Sequence, residues 1–478
     1  MNAASPARLF FPAIRWDEER GFEASRPEID AALALGVGGF ILFGGTADAA
    51  SSLTAELQGR SRHPLLIGAD LERGAGQQFR GVTSLPPLAV FGALEDVALS
   101  RRAGQVTARE ARSLGVNWVY APVADLDVEP DNPIVGTRAF GGDPEQVSSH
   151  VRAWIEGCRA GGALACAKHF PGHGRTTTDS HLGLPRVAAS RSTLEADLAP
   201  FRTAIEAGVD AVMTAHVAYP ALDASGLPAT LSHAMIGDLL RGQLGYDGLV
   251  VTDALIMEGV LAGAGEEEAA IRALAAGCDA LLYPRQLEAT VRAVDAAVGE
   301  RVAETRVRDA LSRIDAAVQR AAARATDAKD AAPAAAAWAL DVAVRGVRAV
   351  RGEPRCAPDV EVVVVDDDVG GPFPLNIPRD VFADTLAATG VAVRSVARPT
   401  GDRPVLVALF ADIRGFKGRP GVSADARGRV EDAVSAAPAV VVLFGPPRLA
   451  DQVAGPAVLC AWGGEPIMQR AAAKWLSR

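Results

Sequence analysis

The chain of 478 residues carries five cysteines, Cys158, Cys166, Cys278, Cys356 and Cys460, and no C-x-x-C pair. An odd, scattered set speaks against a disulfide framework and a structural zinc site; it reads as the reduced thiols of a cytoplasmic protein. Long hydrophobic runs are missing too, since no stretch approaches the roughly 20 apolar residues of a membrane span. The N-terminal MNAASPARLFFPAIRWDEER has no basic segment followed by a long apolar one, and Pro12 interrupts its short apolar stretch. No secretory signal is expected there. There is no sustained basic stripe, and the net charge is −10. That argues against nucleic acid or an anionic membrane as a partner. Neither G-x-G-x-x-G after a strand nor G-x-x-x-x-G-K-[ST] occurs, so nucleotide binding has no support and no cofactor is implied. No oligomeric state follows from the sequence.

What is present is an ordinary globular composition, 49% hydrophobic and 22% charged, in a chain long enough for two cores. The first two-thirds alternates short apolar runs with helical patterns. Strands are expected at residues 8–14, 39–43, 64–70, 118–124, 163–169, 211–216, 249–253 and 280–283. Helices are expected at 97–114, 145–160, 193–207, 232–243 and 266–276, with Ser232 as an N-cap and Gly208 and Gly277 after helix ends. Eight β-then-α units predict an α/β fold of (β/α)8, TIM-barrel type, with a doubly wound open sheet as the alternative. An Ala/Arg-rich closing helix spans 305–325. The expected organisation is a barrel domain over 1–325, a low-complexity linker over 326–338, and a smaller αβα sandwich domain over 339–478. The second domain is expected to have strands at 361–365, 405–410, 440–444 and 457–461. The run Asp366–Asp368 reads as a solvated strand end rather than a metal site.

The predicted strands end in a pattern. Asp70, Asp125, Lys168 with His169, His216 and Asp253 close five successive strands, and in a barrel these ends meet at one face. The stretch AKHFPGHGRTTTDSHLGLP (167–185) is the most concentrated, an apolar strand delivering a polar loop. Asp179 and His181 are separated by one residue, and a carboxylate beside an imidazole fixes its tautomer and favours its protonated form. Such a pair can give a proton to a leaving oxygen. His169 and His173 flank Pro171 and Gly172, which keeps them off a shared helix face, and position 170 is Phe, so H-E-x-x-H is absent and no metal is expected. Asp253 at a strand mouth could be a nucleophile, a base, a metal ligand or a helix cap. Together with Asp70 and Arg138, the set describes a site for a hydroxyl-rich ligand.

The runs KHFPGHG, then DSH, then LP resemble the signature of glycoside hydrolase family 3 β-N-acetylglucosaminidases (β-hexosaminidases). The resemblance extends to NPIVGTRAFGGDP (132–144) and VTDALIMEG (251–259), in the expected order, and covers about residues 8 to 320. It implies a (β/α)8 barrel, often followed by an αβα sandwich. It implies Asp253 as the nucleophile of a retaining reaction and His181, held by Asp179, as the acid/base. Lys168, His169 and Asp70 are implied as binders of sugar hydroxyls, and Arg138 as a group seating the sugar near its N-acetyl substituent; no metal takes part. The loop after Asp70 departs from the family's Asp-Gln-Glu-Gly-Gly-Arg-Val, reading Leu71, Glu72, Arg73, Gly74, Ala75, Gly76. The expected activity is exo-hydrolysis of terminal GlcNAc from small glycosides such as cell-wall fragments. Phosphorolysis, β-glucosidase specificity, a silent sugar-binding protein and a metal-dependent hydrolase are the alternatives.

Overall fold

The computed structural model describes residues 5–261, 265–324, 332–368, 372 and 377–478. The chain divides into two compact units. The first comprises Met1–Thr83, Val97–Leu126 and Gly142–Ala332; the second comprises Ser84–Asp96, Asp127–Gly141 and Pro333–Arg478.

In the first unit the strands are β1 (Phe10–Phe11), β2 (Ala13–Arg15), β3 (Gly39–Phe43), β4 (Leu66–Ala69), β5 (Trp118–Val119), β6 (Leu164–Phe170), β7 (Ala211–Thr214), β8 (Leu249–Thr252) and β9 (Leu281–Leu282). β2 to β8 form a seven-stranded sheet in sequence order, parallel throughout, and β1 pairs in parallel with β9. The expected strand over 8–14 is thus split. Pro12 has no N–H to give to a ladder, and the chain changes partner across it, from Leu281 and Leu282 to Ile41, Leu42 and Phe43. Val251 of β8 also bridges to Ala280, just before β9.

The strands are short and buried on both faces, as parallel strands flanked by helices must be. Phe10, Phe11, Phe40, Trp118 and Tyr120 are fully buried. Gly68 admits the Tyr120 ring, since a Cβ there would stand 2.4 Å from the hydroxyl oxygen. Two of the helices between strands begin with the side-chain caps Asp143, which accepts from the Gln146 N–H (2.8 Å), and Ser190, which accepts from the Thr193 N–H (3.2 Å). Ser232 accepts from the Met235 N–H at 3.1 Å, but the segment it opens, Ala234–Gln243, is wound as a π-helix. Gly208 and Gly277 follow helix ends with φ of +71° and +125°. At the strand entrances Asp210 and Asp279 are buried and ringed by arginines of the closing helix Glu304–Ala323 and its neighbours.

The second unit contains β10 (Arg348–Arg351), β11 (Asp359–Asp366), β12 (Ala392–Val396), β13 (Val405–Phe410), β14 (Ala439–Phe444) and β15 (Ala457–Cys460). Their order is β10-β15-β14-β13-β11-β12, with only the β10–β15 pair antiparallel. Of the expected linker, 326–331 lies outside the described residues, and the chain is helical from Ala332 to Gly346. The Asp366–Asp368 run is not a solvated end. Asp367 and Asp368 are buried; Arg379 makes a forked pair with Asp366, Arg419 another with Asp367, and Lys417 lies 3.3 Å from Asp368.

Candidate active site

The exit of β6 sets the first part of the site. Lys168 is 2% exposed, which an ammonium tolerates only with partners. It has two: Asp70 Oδ1 at 2.6 Å and Glu72 Oε1 at 2.8 Å, both from the loop after β4. The next residue, His169, holds Asp125 through Nδ1 at 2.7 Å. Asp125 follows a stretch laid along β6 by two hydrogen bonds, Lys168 N–H to Pro122 O (3.2 Å) and Ala124 N–H to Lys168 O (2.7 Å). Its carboxylate is fully buried and also accepts the backbone N–H groups of His169 (3.1 Å) and His173 (2.7 Å). Burial opposes its charge, but His169 and His173 outweigh that and hold the carboxyl below its usual pKa.

The loop after β6 carries the second part. Asp179, buried, accepts from the His181 backbone N–H at 2.9 Å and holds His181 Nδ1 at 2.7 Å through the same oxygen. The imidazole remains partly exposed, 23% for its side chain. His173 is a different kind of histidine. Its ring is sealed between the Thr176 hydroxyl (2.8 Å from Nδ1) and the Ser180 hydroxyl (3.0 Å from Nε2). Burial, and then the charge of His169, push its pKa down to about 4, so it is neutral at physiological pH.

Asp253 stands at the exit of β8, partly exposed, its Oδ1 accepting the Ala254 N–H at 2.7 Å. Burial again opposes its charge. His169, His216 and His181 together with that N–H overcome the penalty and bring its pKa down to about 2. His216, at the exit of β7, is fully buried between Thr230 Oγ1 (2.7 Å) and the Ala254 carbonyl (3.1 Å), and burial lowers its pKa. It thereby clamps the residue after Asp253.

The structure therefore links Asp70 to Lys168 and Asp179 to His181 by direct contact, and sets His169 and His181 close enough to Asp253 to shape its charge. Arg138 lies elsewhere in the division of the chain. It ends a 3₁₀ turn, Gly136–Arg138, that belongs to the second unit, and donates to the Ile134 carbonyl at 3.2 Å. Sequence reasoning gave no role to Glu72, which sits in the loop that departs from the family pattern, or to Ser180. Asp125 and His216 were visible as strand-end polar residues, but not as the groups that orient His169 and the Asp253 turn. Among the described residues no cluster of three or more His, Cys, Asp or Glu side chains is arranged to hold a metal ion. The His169 and His173 rings meet edge to face, 5.8 Å between centroids, and both are engaged as above.

Comparison with known proteins shows the family. Residues 23–317 match the glycosyl hydrolase family 3 N terminal domain. The chain is similar to a β-hexosaminidase of Thiobacillus denitrificans, 42% identical over 260 residues, which are 52% of this chain and 71% of that protein. A β-hexosaminidase of Vibrio cholerae is 38% identical over 286 residues, 59% of this chain and 85% of that one. Among solved structures, a glycoside hydrolase family 3 β-N-acetylglucosaminidase from Paenibacillus sp. str. FPU-7 superposes with a TM-score of 0.87 at 29% identity, covering 100% of this chain and 96% of the other. The chain belongs to glycosyl hydrolase family 3 and is a glycoside hydrolase.

Proposed function

We propose that this chain is a retaining exo-β-N-acetylglucosaminidase, releasing terminal GlcNAc from small glycosides such as peptidoglycan fragments in the cytoplasm. The observations that carry the reading are a carboxylate, Asp253, at the exit of β8 with its pKa held below the usual value, and the partly exposed His181 hydrogen-bonded to Asp179. In the first step the Asp253 carboxylate attacks the anomeric carbon. The C–O bond to the leaving group breaks, and His181 Nε2–H supplies the proton that the leaving oxygen needs. In the second step neutral His181 takes a proton from water, whose oxygen displaces Asp253 with a second inversion, so the configuration is retained. Asp179 holds Nδ1–H and stabilises the imidazolium that enters the first step and is re-formed in the second. Lys168, His169 and Asp70 bind sugar hydroxyls. The scaffold for this reading is a closed (β/α)8 barrel, with β1 and β2 counted as one strand broken at Pro12, followed by an αβα sandwich. The five unpaired thiols suit a reducing compartment.

A histidine base does not repel an incoming phosphate dianion as a carboxylate would, and this favours phosphorolysis as the second reading. Incubation with GlcNAc-anhydroMurNAc, with and without phosphate, separates the two. Free GlcNAc in both buffers is expected, whereas sugar 1-phosphate formed only with phosphate identifies a phosphorylase. Aryl glucoside and aryl N-acetylglucosaminide run in parallel test the sugar, and faster turnover of the glucoside overturns the assignment.

A further inference from the structure

The loop that bears Asp179 and His181 is fixed very unequally along its length. Its first part is pinned at every residue from 172 to 176. The Tyr219 hydroxyl donates to the Gly172 carbonyl at 2.6 Å, the His173 N–H goes to Asp125, and Arg175 Nε reaches Asp197 at 2.7 Å. Gly174 lies against the Leu126 carbonyl so closely that a Cβ would stand 1.8 Å from the oxygen. Thr177 and Thr178 then pass through solvent, and Leu182, just beyond the dyad, is 55% exposed. Between them Ser180 is 1% exposed and tied on two sides. Its carbonyl accepts the Gly259 N–H (3.0 Å), from the segment after Asp253. Gly259 itself lies so near that a Cβ would be 2.9 Å from both the Ser180 and the His216 carbonyl oxygens. The Ser180 hydroxyl meets His173 Nε2.

The direction of that last bond follows from the neighbouring one. Thr176 has a single hydroxyl hydrogen, which goes to the His173 carbonyl at 3.0 Å. The 2.8 Å contact between Thr176 Oγ1 and Nδ1 is then served by an Nδ1–H. A neutral imidazole with Nδ1–H has a bare Nε2, which accepts the Ser180 hydroxyl hydrogen.

We propose that Ser180 and His173 form a latch that positions the Asp179–His181 pair over the reacting bond, making both of them positioning residues for proton transfer. The proposal rests on the acid/base reading given above. The bond joins the pinned end of the loop to the peptide unit between the two dyad residues. Its loss frees His181 to swing with the exposed segment while leaving Asp253, Lys168 and His169 in place. A misplaced acid fails in proportion to how much the leaving group needs a proton. The latch therefore has a signature that general loosening of the fold does not share.

The test compares kcat/KM, which reports only formation of the glycosyl-enzyme, on two substrates: a dinitrophenyl N-acetylglucosaminide, whose leaving group needs no proton, and GlcNAc-anhydroMurNAc, whose leaving group does. Ser180→Ala is expected to lose about 10²-fold on the second and stay within about threefold of the unaltered protein on the first. His173→Asn, which keeps an N–H toward Thr176 but offers nothing to Ser180, is expected to show the same split, and it serves if Ser180→Ala does not fold. Ser180→Thr keeps the hydroxyl and is expected to recover most of the loss. Equal losses of Ser180→Ala on both substrates, or none on either, overturn the latch when His181→Ala shows the split. If His181→Ala itself shows no split, the acid/base reading falls, and the latch with it.

Discussion

Two sets of aspartates stand toward opposite ends of the first unit's parallel strands, on different strands. At the entrances, Asp210 is held by Arg324 at 2.7 Å and Arg320 at 3.2 Å, and Asp279 by Arg241 at 2.7 Å, Arg306, and Arg313 at 3.4 Å. At the exits, Asp70 meets Lys168, Asp125 meets His169, Asp179 meets His181, and Asp253 is left facing histidines. A guanidinium never gives up its proton in a protein, so the entrance pairs are fixed charges that also satisfy strand N–H groups: Ala165 donates to Asp210 and Val250 to Asp279. An imidazole can both give and take a proton, and three of the four exit aspartates are set against one, which is the chemistry that the proposed function calls on. The residue type is the same at both ends; the partner decides whether a buried carboxylate serves stability or chemistry.

The largest effect that sharpens this contrast is on turnover. Asp253→Ala is expected to lower kcat on an aryl N-acetylglucosaminide by about 10⁴-fold, the scale for removing the proposed nucleophile, while the unfolding free energy drops by no more than about 2 kcal/mol. Loss of folding with unchanged specific activity in the folded fraction would erase the distinction between the two ends. Asp279→Ala is the mirror experiment. It leaves three arginines around a fully buried vacancy and takes the acceptor from the Val250 N–H, and breaking such a cluster costs about 3–5 kcal/mol. Denaturant unfolding should show that loss, and kcat per folded molecule should stay within about twofold, because no entrance group touches substrate.

How much of this was legible in the sequence follows the same divide. The exit residues announced themselves because a short apolar run ending in Asp, Lys or His is a local pattern, and five such endings fell in order. The partnerships were not local. Asp125 lies 44 residues before His169, and Glu72 lies 96 residues before Lys168, so only the parallel pairing of the strands brings them together. The entrance cluster left a fainter trace that sequence reasoning passed over. Arg306, Arg313 and Arg320 repeat every seven residues in the closing helix, which puts them on one face. In the second unit β10 and β12 escaped notice because they are largely exposed and carry arginine and serine, while the fully buried β13 and β14 stood out as apolar runs. The π-winding of Ala234–Gln243 has no signature in the spacing of its apolar residues.

The smallest effect separates the ends by pH. The Asp253 carboxyl titrates at about 2 in the folded chain against 3.8 for an unperturbed side chain. A depressed carboxyl pKa means that the unfolded chain binds the proton first as pH falls. The stabilisation is thus complete above the unfolded value, declines as pH drops below about 4, and is gone once the folded group titrates near 2. The shift corresponds to on the order of 2 kcal/mol. Asp253→Asn cannot titrate, so its unfolding free energy should fall less steeply than that of the unaltered chain between pH 4 and pH 2, by about that amount. Subtracting the two urea titrations cancels every other carboxylate. Parallel curves would mean that the histidines do not hold Asp253 in its charged form. They would remove the electrostatic reason for treating the strand exits as different from the arginine-ringed entrances.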